Sequence, residues 1–166
     1  MKSNWLLSAA LGATALTFAS AAPAAAATKF EFWYGLSGDL SERVQEMCSR
    51  FNASQADYEI VCVSQENYEN NLQNTIAAFR AYKQPTVTQI SDGGVVDLML
   101  SGAFLPVKQL MEENGYTIDW SNYFSGIASY FSTSKGELLA MPFNSSTAMY
   151  YYNTDALKAV GFDGLP

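Results

Sequence analysis

Lys29-Phe30-Glu31-Phe32-Trp33-Tyr34 alternates polar and aromatic side chains, the period of a half-buried strand. Gly35 to Asp39 follows as a turn. Apolar residues then fall at Leu40, Val44, Met47, Cys48 and Phe51, one face of a helix. Ser37 or Asp39 is placed to cap that helix, with Glu42 in its first turn. Tyr58 to Val63 is a second strand, rich in Ile and Val. From Asn67 a second helix carries Tyr68, Leu72, Ile76 and Phe79 on its apolar face, and Pro85 stops it. Thr86 to Ile90 is short and β-branched, a buried third strand. Val95–Gly102 and Pro106–Glu113 read as further short helices, the latter closed by Asn114-Gly115. This alternation predicts an α/β fold, a mostly parallel sheet flanked by helices.

Beyond this core the pattern loosens. Tyr116 to Phe131 has no clean period and predicts irregular helix and loop. Lys135-Gly136 reads as a turn. Glu137–Pro142 and Thr147–Asn153 read as strands, and Thr154–Val160 as a last helix ended by Gly161.

Composition narrows the function. The chain has 166 residues, 49% of them apolar and 15% charged, with a net charge of −7. That describes a globular chain of one domain or one lobe. The acidic balance argues against a nucleic-acid partner. There is no His, which excludes imidazole bases and imidazole metal ligands. No metal-ligand spacing and no cofactor motif is present. Residues 1–27 read as a cleaved secretory leader: Lys2, an uncharged apolar run, then Ala25-Ala26-Ala27 before Thr28. No Cys stands directly after that point, so a lipid anchor is not indicated. Export favours an oxidising compartment, in which Cys48 and Cys62 either pair or remain buried thiols.

Open α/β sheets bind ligands beyond the carboxyl ends of their strands. The loops there are Tyr34–Ser37, Gln65–Tyr68 and Ser91–Gly94, with Phe143–Thr147 able to join them. They offer hydroxyls, amides, aromatic faces and a carboxylate, groups suited to a polyol or sugar. Each has a plainer reading. Tyr68 sits on an apolar helix face, Asp92 before two glycines suits a turn, and Ser145 and Ser146 can satisfy loop backbone. A glycosidase would need a carboxylate pair, and Asp92 with Glu66 is the only one these loops supply.

Several runs together resemble the extracellular solute-binding proteins of bacterial ABC importers, most closely the branch that captures glycerol phosphate. They are Phe32-Trp33, Arg50-Phe51-Asn52-Ala53, Asn67-Tyr68-Glu69, Ile76-Ala77-Ala78-Phe79-Arg80, Pro142-Phe143-Asn144-Ser145-Ser146-Thr147 and Tyr151-Tyr152-Asn153-Thr154-Asp155-Ala156. The resemblance implies a periplasmic-binding-protein-like fold of type II, with residues 28–166 as its N-terminal lobe and the second lobe largely missing. It implies a non-enzymatic receptor, monomeric at full length, that delivers sn-glycerol 3-phosphate or its diesters to a membrane permease. It places ligand contacts at Tyr68, Asp92 and Ser146. Tyr68 and Asp92 would hold glycerol hydroxyls, and Ser146 would donate to the phosphate. Asp92 stands where some relatives carry Glu, and the loop Ser91–Asp97 departs from the family pattern. No Lys or Arg falls in the four loops, so this chain alone is expected to bind glycerol phosphate weakly or not at all. Two alternatives go with this: a sugar or oligosaccharide held by Trp33, Tyr34 and Tyr68, or a truncated lobe that binds nothing.

Overall fold

The computed structural model describes residues 26–91, 93, 95, 100–162 and 164. The expected leader lies outside the described residues apart from Ala26 and Ala27, as do Asp92 and Val96–Met99 of the expected helix after the third strand.

Strand β1 spans Thr28–Tyr34, helix α1 Gly38–Ser54, strand β2 Tyr58–Ser64, helix α2 Tyr68–Arg80 and strand β3 Val87–Thr88. The described strands form one parallel sheet in the order β2-β1-β3. The predicted β-α-β-α-β order is therefore present, with β3 shorter than the Thr86–Ile90 expected. β1 and β2 pair over their full length, Thr28 against Tyr58 through Tyr34 against Ser64. Period-2 alternation puts Phe32 and Tyr34 on one face of β1. There they meet Val44 and Cys48 of α1, with Leu36, Ile60 and Cys62 around them. A disulfide joins Cys48 to Cys62, tying α1 to β2 with the Cα atoms 6.4 Å apart. Of the two fates open to these cysteines, pairing is the one realised.

Helix α1 begins two residues earlier than its apolar stripe suggested. Ser37 occupies the N-cap position but its side chain makes no capping bond, while Asp39 lies in the first turn. Only Val44 and Cys48 of the stripe are buried; Leu40, Met47 and Phe51 remain exposed. In α2 the buried residues are Asn71 and Thr75, not the expected Tyr68–Leu72–Ile76–Phe79 face, of which Tyr68 and Phe79 are exposed. The reason is chemical. Asn71 Nδ2 donates to the Gln89 carbonyl at 2.6 Å, and the Thr75 and Thr88 hydroxyls lie 3.1 Å apart. The end of β3 presents polar groups to the helix, and buried polar groups take polar partners.

Asn67 caps α2, its Oδ1 accepting from the Asn70 N–H at 2.8 Å. At the other end Lys83 N–H reaches the Ala78 carbonyl and Tyr82 N–H the Phe79 carbonyl, a Schellman closure. The residue in its left-handed position is Tyr82, at φ 55°. A side chain there costs about 1–2 kcal/mol, and Tyr82 is exposed. Tyr82→Gly is expected to stabilise the chain by about 1 kcal/mol, read as a higher denaturant midpoint. An unchanged or lower midpoint would count against this closure.

Helices α3 (Val107–Glu113), α4 (Ser125–Tyr130) and α5 (Thr154–Ala159) follow, with a 3₁₀ turn at Trp120–Asn122. Gly115 and Gly161 close α3 and α5 at φ 73° and 88°. Asn153 caps α5 by accepting from the Asp155 and Ala156 N–H groups. Asp119 caps the 3₁₀ turn. The hydroxyl and backbone N–H of Ser121 hold its carboxyl below the usual aspartate value, with Asn122 assisting. The Lys135-Gly136 turn is present: Gly136 lies at φ 78°, and Thr133 N–H donates to the Glu137 carbonyl.

The two late strands are not formed. Leu138 makes one isolated antiparallel bridge with Ser132, and residues 141–153 have no regular structure. A strand exists only when a neighbour takes its N–H and C=O groups. No strand among the described residues pairs with 147–153, where Tyr150 is 98% exposed. None of the described helices is long and apolar enough to cross a membrane.

Candidate functional site

The parallel register brings the carboxyl ends of the strands to one level. Trp33 opposes both Val63 and Thr88, so Tyr34 and Ser64 end their strands together and Gln89 follows immediately. Three loops start from this rim. The first packs tightly on the second. A Cβ built on Gly35 would stand 2.7 Å from the backbone C and O of Asn67 and from Tyr68 Cα. The second loop is itself constrained. Glu66 lies in the left-handed region at φ 71°, bridged by a bond from Asn67 N–H to the Gln65 carbonyl at 2.9 Å. Strain of this kind collects at ligand sites.

From the third strand, Gln89 threads the loops together. Its side chain is 8% exposed. Gly35 N–H donates to Gln89 Oε1 at 2.9 Å, and Gln89 Nε2 donates to Asn144 Oδ1 at 2.7 Å. Asn144 Nδ2 then donates to the Tyr68 hydroxyl at 3.0 Å. The distant segment 143–147 is thereby fastened to the rim. Phe143 adds an edge-on contact to Phe32, ring centroids 5.5 Å apart. Beneath, Asn71 holds the Gln89 carbonyl and donates to Thr88 Oγ1 at 3.3 Å. Asn71 is 1% exposed, and its Oδ1 has no hydrogen-bond partner among the described residues.

Of the expected contacts, Tyr68 is at this rim, partly exposed and already engaged by Asn144. Ser146 lies two residues beyond Asn144, exposed, with no hydrogen-bond partner among the described residues. Asp92 lies outside them, so neither its place nor its distance from Glu66 is described. Two aromatic candidates read differently. Tyr34 is fully buried, its hydroxyl taken by Ser41 Oγ and Gln45 Nε2 at 2.8 Å each, so it offers no face to a sugar. Trp33 is half-buried, its Nε1 donating to Glu31 at 2.7 Å. Among the described residues no cluster of His, Cys, Asp and Glu could hold a metal ion.

Gln89 was not legible as a site residue. Its signal was an amide among β-branched residues at the carboxyl end of the third strand. Two surface hollows lie elsewhere, one of about 530 Å³ beside Met111, Tyr116, Trp120 and Tyr123, the other beside Met47 and Phe51 of α1.

Comparison with known proteins agrees with this architecture. The chain is 41% identical over 157 residues to the sn-glycerol-3-phosphate-binding periplasmic protein of Brucella suis, covering 94% of this chain and 36% of that one. It is 42% identical over 150 residues to the protein of that name from Yersinia pestis, covering 90% and 34%. The chain thus spans about a third of the length of these relatives. An uncharacterised protein from Listeria monocytogenes superposes with a TM-score of 0.62 at 20% identity, over 84% of this chain and 34% of that one. The cyclic α-maltosyl-1,6-maltose binding protein from Arthrobacter globiformis gives 0.54 at 16% identity, over 66% and 27%. Both likenesses concern the fold. Residues 46–164 match the family described as bacterial extracellular solute-binding protein, and with most of its length inside that match the chain belongs to this family.

Proposed function

We propose that residues 28–166 form the first ligand-binding lobe of a periplasmic receptor for an ABC importer, exported by a leader at residues 1–27. Its ligand is sn-glycerol 3-phosphate or a glycerophosphodiester. Tyr68, Asp92 and Ser146 contact it, the receptor is monomeric at full length, and a membrane permease receives the cargo. No catalytic step belongs to it. The observation that carries this reading is the bond between Asn144 and Tyr68. It brings a helix start and a loop 76 residues later to one rim, and Ser146 is on that loop. The relatives named for glycerol phosphate support the choice of ligand. The buried Tyr34 weighs against the sugar alternative, which needs an aromatic face at that position.

Calorimetry on the natural full-length product tests this, with sn-glycerol 3-phosphate and maltose as ligands. Glycerol phosphate is expected to bind and maltose not. Ser146→Ala is expected to weaken binding by about 1.5–3 kcal/mol, the usual loss for a hydrogen bond to a charged group, and Tyr68→Phe by about 0.5–1.5 kcal/mol, the usual loss for a neutral one. Maltose binding with no response to glycerol phosphate would overturn the ligand assignment. Full affinity in both variants would overturn the site.

A further inference from the structure

We propose that Gln89 and Asn144 are positioning residues that turn the Tyr68 hydroxyl into a hydrogen-bond donor toward the ligand. This rests on the glycerol-phosphate reading and sharpens it: Tyr68 meets the phosphate oxygens rather than a glycerol hydroxyl proton.

The argument follows one chain of bonds from a fixed end. A backbone N–H can only donate, so the Gly35 N–H, 2.9 Å away, requires the oxygen of the Gln89 amide. The amide nitrogen must then lie at the other position, where it donates to Asn144 Oδ1 at 2.7 Å. That sets the second amide: Asn144 Nδ2 faces Tyr68 and donates to its hydroxyl oxygen at 3.0 Å. Neither amide can flip without setting two donors or two acceptors against each other. The Gln89 end is buried, where such a mismatch is costly. Asn71 holds the Gln89 carbonyl from below and keeps the residue in place. Tyr68 is therefore an acceptor on its inner side, and its own proton is left for the outer side. An outward O–H bonds most strongly to an anionic oxygen. A phosphate monoester or diester supplies that, whereas a glycerol hydroxyl supplies only a neutral lone pair.

Asn144→Asp reverses the last step. One carboxylate oxygen still accepts from Gln89 Nε2, and the other takes the Tyr68 proton. Asn144 is exposed, so the aspartate is ionised. Gln89→Glu at pH 8 reverses the relay from the buried side while keeping an acceptor for Gly35. Two readouts apply. The first is the tyrosine Fermi doublet in the Raman spectrum, taken as the difference between each protein and its Tyr68→Phe counterpart. Both reversing variants are expected to shift the Tyr68 contribution toward that of a strong donor, without any ligand. The second is sn-glycerol 3-phosphate binding to the natural full-length product in a double-mutant cycle. The added charge alone weakens an anion, and that part persists in the Tyr68→Phe background. The relay predicts a further loss of roughly tenfold that appears only when Tyr68 is present. An unchanged Raman difference, or equal losses in both backgrounds, would overturn the relay. If the unaltered receptor takes no glycerol phosphate, the ligand assignment falls, and the Raman difference still decides the relay.

Discussion

Gly35→Ala is expected to destabilise the chain by about 1–3 kcal/mol, the usual cost of overpacking a tight contact. The added methyl would lie 2.7 Å from main-chain atoms of Asn67 and Tyr68. Main chain cannot swing aside as the tip of a side chain can, so the start of α2 must move. The effect should therefore be twofold. The unfolding temperature falls by several degrees, and the Tyr68–Asn144 bond is displaced. Gly126→Ala is the matched control, since its new methyl meets nothing within 4 Å. Equal unfolding temperatures for the two variants would mean that the Gly35 contact is not tight in solution.

The second large effect is expected from the disulfide. Replacing both Cys48 and Cys62 with alanine should remove about 3 kcal/mol, from the entropy of closing a loop of this size. The two cysteines are 14 residues apart. The bridge also pins α1 to β2 beside the core of Phe32, Tyr34 and Val44. Denaturant unfolding of oxidised, reduced and doubly substituted protein measures this. Thiol titration of the native protein is the direct check. Two titratable thiols without unfolding would contradict the bridge, and equal midpoints for all three forms would contradict its contribution.

The first half of the chain was legible because its signals are local. Aromatic alternation at 29–34 and apolar spacing from Leu40 produce β1 and α1 wherever the strand finds a partner. What was misread depended on that partner. The face of α2 is rotated by one residue, because Thr88 and the Gln89 carbonyl demand Asn71 and Thr75. No periodicity of α2 alone contains that demand. The segments 137–142 and 147–153 have strand composition, but composition does not create a neighbouring edge. At the site, Tyr68 and Ser146 came from a resemblance. Gln89 became visible only when Gly35 and Asn144, far apart in the chain, were seen to meet on its side chain.

The level ends of the strands bear on how such a protein can change its ligand. Since Tyr34 and Ser64 finish opposite one another, each loop leaves the sheet from its own anchored position. A residue inserted into one loop alters what reaches the rim without slipping the register of any strand. Ligand choice can therefore drift by loop exchange while the scaffold stays fixed. In engineering terms the rim is a set of interchangeable parts, with one condition. Gln89 touches both the first loop and segment 143–147, so those two must be redesigned together.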